Sequence, residues 1–174
     1  LWDLFTNNLS ANPIDEITDR TGIWTIRFIL IALAVTPIRQ LCRHLWLTKC
    51  RRMVGLFAFF YASLHFMTYV VVDQFFSWDD IIQDIMKRPY ITVGFTGFVL
   101  LVPLTVTSTA KMIKRLGKRW LQLHRLVYAI GILGVIHYLW QVKADISSPA
   151  KYGAILAVLL GYRAWAMLDK RRRL

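Results

Sequence analysis

Three of the four histidines, His65, His124 and His137, fall inside long apolar runs, where an ionisable ring is costly and points to a function. The fourth, His44, lies among arginines and reads as a surface residue. A buried imidazole binds a metal, relays a proton or hydrogen-bonds to a neighbouring helix. The last is the ordinary fate of a single buried histidine. Three of them, with no intramembrane carboxylate to pair with, weigh toward metal. Zinc wants four ligands, usually Cys or His, and the runs offer no such cluster. Two imidazoles from facing helices suit haem iron, which needs two axial ligands and a large apolar slot.

Depth along a helix, at 1.5 Å per residue, sorts the three rings. His65 lies about 20 Å from Arg52 and about 12 Å from Asp73. His137 lies about 27 Å from Arg119 and about 9 Å from Lys143, whereas His124 is only about 7 Å from Arg119. His65 and His137 therefore share a level, and His124 belongs near the opposite face. Gly131 and Gly134, between His124 and His137, offer a small surface for a macrocycle edge or for close helix packing. His124 and His137 are about 3.6 turns apart, so a straight helix does not put both rings on one face. Either the glycines allow a bend or the two rings open in different directions.

The elements that must position these rings follow from composition. Of 174 residues, 56% are apolar and 14% aromatic, with a mean hydropathy of +0.45. That excludes a disordered segment and disfavours an ordinary soluble domain. Lys and Arg number 22 against 10 Asp and Glu, a net charge of +12. A nucleic-acid binder has such charge but not five long apolar runs, so no nucleic-acid partner is expected. Cys42 and Cys50 lack metal-site spacing and read as free thiols.

A bilayer core of roughly 30 Å takes about 20 apolar residues per helix. Residues 22–38, 54–73, 91–107, 120–142 and 150–168 qualify or nearly do. Backbone in lipid must satisfy its own polar groups, so these runs predict a helix bundle, and period-2 alternation for a barrel is absent. The fold class is an all-α membrane protein with five spans in one domain, residues 1–174. The loops after the first and third runs and the tail hold most of the cations. Nine of the ten acids fall on the other side, Asp73, Asp79, Asp80, Asp84 and Asp145 among them. The positive-inside rule makes the basic loops and the C-terminus cytoplasmic. Five spans ending inside put residue 1 outside, and the chain begins with Leu without a secretory signal. The reading therefore expects a further upstream helix, six in all, with Leu1–Phe5 as its outer stub. Asn12-Pro13 reads as the start of a short surface helix through Asp19, and Ile81–Met86 as an amphipathic turn.

Longer strings carry a resemblance. Leu116-Gly117-Lys118-Arg119-Trp120-Leu121-Gln122-Leu123-His124-Arg125-Leu126-Val127-Tyr128, then Ile136-His137-Tyr138-Leu139-Trp140, resemble the MsrQ (YedZ) family. Arg51-Arg52-Met53-Val54-Gly55-Leu56 before Leu64-His65, Arg88-Pro89-Tyr90-Ile91-Thr92-Val93-Gly94 and Thr107-Ser108-Thr109 extend the likeness over nearly the whole chain. These are haem-bearing membrane subunits of the bacterial periplasmic methionine sulfoxide reductase system, in the ferric-reductase-like transmembrane group. The resemblance implies that His65, His124 and His137 are haem histidines. In the related oxidase pattern each clamping helix has an inner and an outer histidine; here the inner position, 14 residues before His65, is Arg51. His124 is then left without an obvious partner, which favours one haem b while leaving two open.

The resemblance further implies a multi-pass protein of the bacterial inner membrane that relays electrons rather than reducing methionine sulfoxide itself. The donors it implies are the quinone pool or a cytosolic flavin reductase acting through FMN, and the acceptor is a soluble molybdopterin enzyme, MsrP. No GxGxxG is present to take hydride from a nicotinamide directly. Arg27 is placed to reach an outer haem propionate and Arg125 an inner propionate or flavin phosphate, although both positions also suit snorkelling. Thr105, Thr107, Ser108 and Thr109 would contact a quinone or flavin, or cap a helix end. Met67 reads as a gap-filler, and Asp79, Asp80 and Asp84 as a solvated face or a docking patch. The competing readings are another ferric-reductase-like haem relay and, from a different class, a small proton or metal transporter using His65 and His137.

Overall fold

The computed structural model describes residues 13–42, 46–142 and 145–172, and among these no strand occurs. His44, the Leu1–Phe5 stub and Asn12 lie outside the described residues. The helices are α1 (Pro13–Cys42), α2 (Leu47–Met67), α3 (Trp78–Lys87), α4 (Pro89–Val106), α5 (Ala110–Leu116), α6 (Lys118–Leu123), α7 (Leu126–Gln141) and α8 (Ser147–Arg172). A wider π-helical stretch, Thr68–Asp73, continues α2 from three residues beyond His65.

Pro13 opens α1 where its missing N–H costs nothing, and Asp15 and Glu16 in the first turn complement the helix dipole. The separate surface helix expected through Asp19 does not form. Nothing between Asp19 and Gly22 breaks the backbone; Arg20 pairs with Glu16 at 2.5 Å, and Thr21 Oγ1 donates to the Ile17 carbonyl at 2.8 Å. The acidic segment is instead the first turns of a 30-residue helix.

That helix is the centre of the bundle. Its Ile26, Ile29, Leu30 and Leu33 pack with Ala58 and Ala62 of α2, Leu101 and Leu104 of α4, Ile130 and Val135 of α7, and Leu156 of α8. Large apolar side chains face outward on the same helices, among them Phe57, Phe60, Val99, Ile132 and Val158. An apolar exterior around an apolar core is what lipid as solvent permits.

Pro37 inside α1 cannot donate to the Leu33 carbonyl one turn earlier. Arg163 of α8 supplies that bond, Nη2 donating to Leu33 O at 2.9 Å while Nη1 donates to Tyr128 Oη at 2.5 Å. A cation in an apolar helix thereby has a structural cause. It also bears on the span count. Pro13–Cys42, Cys50–Asp73, Pro89–Val106 and Lys118–Gln141 are long and apolar enough to cross a membrane. The fifth expected span, 150–168, lies within the 26-residue α8, which carries Lys151 and Arg163 and does not reach the same apolarity.

The run 120–142 is not one straight helix either. It breaks into α6 and α7 at a turn over His124 and Arg125, with Arg125 N–H bonded to Gln122 O at 3.1 Å. The bend falls at His124, not at the glycines. Gly131 packs closely on α8 and α1, an added Cβ lying 3.2 Å from Leu156 Cδ1, while Gly134 lines the cavity described below.

Candidate functional site

His65 of α2 and His137 of α7 face each other with ring centroids 6.0 Å apart and planes at 79°. Each ring is held from behind. His65 Nδ1 lies 2.9 Å from Thr18 O, and His137 Nδ1 lies 2.7 Å from Tyr90 O. A carbonyl only accepts, so Nδ1 carries the proton in both rings, and Nε2 of the neutral imidazole keeps its lone pair. That is how a metal-binding histidine is oriented by its surroundings.

Each ring also rests on a glycine one helical turn beyond its carbonyl partner. A Cβ on Gly22 would lie 3.2 Å from His65 Nδ1, and a Cβ on Gly94 only 2.7 Å from His137 Nδ1. The two arrangements are the same device used twice, with carbonyl and histidine 47 residues apart in both. Sequence reasoning missed Gly22 and Gly94. The available signal was the equal spacing of Thr18, Gly22 and His65 and of Tyr90, Gly94 and His137.

The paired rings open on a cavity of about 280 Å³, walled by Ile26, Ile29, Phe66, Phe98 and Ile130. Asp15, Asp19, Asp73 and Arg88 also line it. Two imidazoles across one metal, at about 2 Å each, put their centroids roughly 6 Å apart. The pair, its free Nε2 atoms and the apolar walls suit a haem, whose iron His65 and His137 would hold through Nε2.

His124 is held differently. Its ring stacks on Trp120 with centroids 3.9 Å apart, and Nε2 lies 3.2 Å from Thr107 Oγ1. Thr107 gives its own proton to Pro103 O at 2.6 Å, so the hydrogen-bond network assigns the shared proton to His124 Nε2. Here the nitrogen that is free in the other two rings is engaged. His124 lines a second cavity of about 560 Å³ with Arg51, Arg52, Gly55, Thr105, Ser108 and Trp120.

The five expected site residues thus divide. His65 and His137 meet, and His124 stands apart. Arg27 turns to α8, its Nε donating to Tyr152 Oη at 3.0 Å and its Cζ 4.9 Å from the Trp24 ring centroid. Arg125 is exposed at the α6–α7 turn, and neither arginine lines either of these two cavities. Arg51 takes the second cavity's cationic place and Arg88 the first's. Of the hydroxyls, Thr105 and Ser108 bond back to the α4 carbonyls of Leu101 and Leu104, and Thr109 caps α5 through Met112 N–H at 3.3 Å. Only Thr107 reaches a histidine. Met67 is half exposed, and Asp84 is a bonded junction rather than a solvated acid.

Residues 21–135 match the family model for the ferric reductase like transmembrane component. A protein of Xanthomonas oryzae pv. oryzae (strain MAFF 311018) is 50% identical over 172 residues, covering 99% of this chain and 79% of that protein. One from Xanthomonas campestris pv. campestris (strain 8004) is 52% identical over 164 residues, 94% and 75% of the two chains. One from Herminiimonas arsenicoxydans is 52% identical over 171 residues, 97% and 78%. All three are named protein-methionine-sulfoxide reductase heme-binding subunit MsrQ. No solved structure gives a significant match. Half-identity along nearly the whole length, together with the family match, places the conclusion beyond the resemblance of motifs: the chain belongs to the MsrQ family of ferric-reductase-like transmembrane proteins.

Proposed function

We propose that this chain is the membrane electron-transfer subunit of a protein-methionine-sulfoxide reductase system, with one haem b held between His65 and His137. The observation that carries the reading is the matched pair itself: two rings 6.0 Å apart, each with Nδ1 on a carbonyl and Nε2 left for iron. Haem, when bound, supplies a one-electron carrier whose potential responds to axial ligands, burial and nearby charge.

The chain's own residues supply everything else. Thr18 and Tyr90 carbonyls fix the tautomer, Gly22 and Gly94 leave room for the rings, and the apolar walls would flank the macrocycle. Charge asymmetry supports an orientation in the bacterial inner membrane with the Arg51 cavity and the C-terminus toward the cytoplasm. The His65–His137 pair then lies nearer the periplasmic side. The Arg51 cavity suits an electron donor with an anionic or carbonyl-bearing ring. Arg51 and Arg52 offer positive charge, Trp120 a stacking face and His124 a proton donor. Quinone and FMN both fit that description, the latter served by a cytosolic flavin reductase. The acceptor is the periplasmic catalytic subunit, a molybdopterin enzyme of the MsrP type.

The test is a spectrum and a reaction. Purified protein is expected to show a Soret band with one haem per polypeptide, lost in His65→Ala and His137→Ala. Reduced protein is expected to be reoxidised by MsrP. Colourless wild-type protein refutes the haem reading, and haem that MsrP fails to reoxidise assigns the relay to a different acceptor.

A further inference from the structure

The first cavity has one cationic side chain among its described lining residues, and it is not the arginine that sequence depth suggested. Arg88 stands at the start of α4, two residues before the Tyr90 carbonyl that holds His137. Its Nε donates to Asp84 Oδ1 at 3.1 Å. The other Asp84 oxygen accepts from Tyr69 Oη and from Gln74 Nε2, each at 3.1 Å. Asp84 is therefore a three-way clamp tying α3, the π-helical stretch and the α4 start together, and its side chain is only 15% exposed. Arg27 is committed to Tyr152 and Trp24.

A haem is amphipathic, with two carboxylates on one edge. A carboxylate edge in this cavity meets Asp15, Asp19 and Asp73, which repel it, and Arg88, which attracts it. We propose that Arg88 would bind the carboxylate edge of the haem and that Asp84 acts as its positioning residue, holding the guanidinium at the cavity. This rests on the haem reading above. Asp84 engages Nε and the Tyr90 side chain takes a further hydrogen bond, and the half-exposed guanidinium keeps N–H donors beyond these two for a carboxylate.

The experiment compares haem with haem dimethyl ester, in which both carboxylates are masked, titrated by absorbance into detergent-solubilised protein freed of haem. In wild type, esterification is expected to weaken binding roughly ten- to a hundredfold. Arg88→Gln is expected to weaken haem binding by a similar factor and to leave the ester's affinity unchanged. Arg88→Lys is expected to recover part of the preference for haem, because the charge remains without the fork. Asp84→Asn is expected to lower that preference in the same direction. Equal loss of haem and ester in Arg88→Gln, or no loss of either, overturns the assignment to Arg88. His65→Ala and His137→Ala report on the underlying reading separately. If they bind haem as wild type does, or if wild type binds neither compound, the histidine site itself falls and the Arg88 proposal with it.

Discussion

Gly94→Ala puts the geometry of the paired rings to its sharpest test. The added Cβ would lie 2.7 Å from His137 Nδ1, 2.8 Å from Cε1 and 3.1 Å from Cγ. The obstacle is the flat of a rigid ring, not the tip of a flexible chain. Ordinary contact begins at 3.4 Å, so the ring must withdraw by about 0.7 Å. Withdrawal of that size lengthens the 2.7 Å bond to Tyr90 O, to about 3.4 Å at most, the edge of what still counts as a hydrogen bond. Gly22→Ala is the built-in control. Its Cβ would meet His65 at 3.2 Å, a shortfall of about 0.2 Å that side-chain adjustment absorbs. Losing an orienting bond behind a metal-binding histidine typically lowers affinity roughly 10- to 100-fold. That loss is expected for Gly94→Ala, against less than about threefold for Gly22→Ala. Haem per polypeptide after purification, followed by titration of the haem-freed protein, reads both. Wild-type affinity in Gly94→Ala, or a larger loss in Gly22→Ala, refutes the view that these glycines seat the imidazoles.

Three other outcomes follow from the same contacts. His124→Ala is expected to retain the haem that His65→Ala and His137→Ala lose, and pyridine haemochrome quantitation distinguishes the three. Thr107→Val removes the acceptor for His124 Nε2 without touching the paired rings, so haem content is expected to hold while reduction by a quinol or reduced flavin slows; stopped-flow absorbance measures the rate. Arg163→Leu strips the Leu33 carbonyl of its donor and is expected to cost about 1–2 kcal/mol in detergent unfolding. Pro37→Ala restores the helical N–H to that carbonyl, so the double variant is expected to lose less than Arg163→Leu alone, and additivity refutes the link.

The level of the histidines was legible in the sequence because rise per residue is nearly constant in any α-helix. Counting from Arg52 and Asp73, and from Arg119 and Lys143, paired His65 with His137, and the paired rings are what the fold delivers. Rotation about the helix axis was not legible. Arg27 has the right depth for the first cavity, but packing of α1 against α8 turns it to Tyr152, whereas Arg88 reaches the cavity from a helix start. Hydropathy averages over a window, so it saw 120–142 as one run and could not register a two-residue turn at His124 and Arg125. It also discounts an arginine such as Arg163, whose reason lies 130 residues away at a proline-orphaned carbonyl. Gly22 and Gly94 went unseen because a glycine's role depends on what approaches it, and the approaching atom belongs to another helix.

The three rings differ because each takes the tautomer its neighbour demands. Thr18 O and Tyr90 O are helix carbonyls with a lone pair to spare, so they draw the proton to Nδ1 and leave Nε2 for a metal. His124 meets a hydroxyl whose hydrogen is already given to Pro103 O, so its proton goes to Nε2 instead. Binding a metal through His124 Nε2 would break that bond. The half-buried Arg51, lining the same cavity, adds a fixed cation that disfavours a metal ion there. The first cavity has two oriented lone pairs, and the second has positive charge and an N–H donor. On this reading the two cavities divide the work by charge. Under the proposed function, the first would take iron, and the second an electron donor whose negative charge Arg51 and Arg52 would offset.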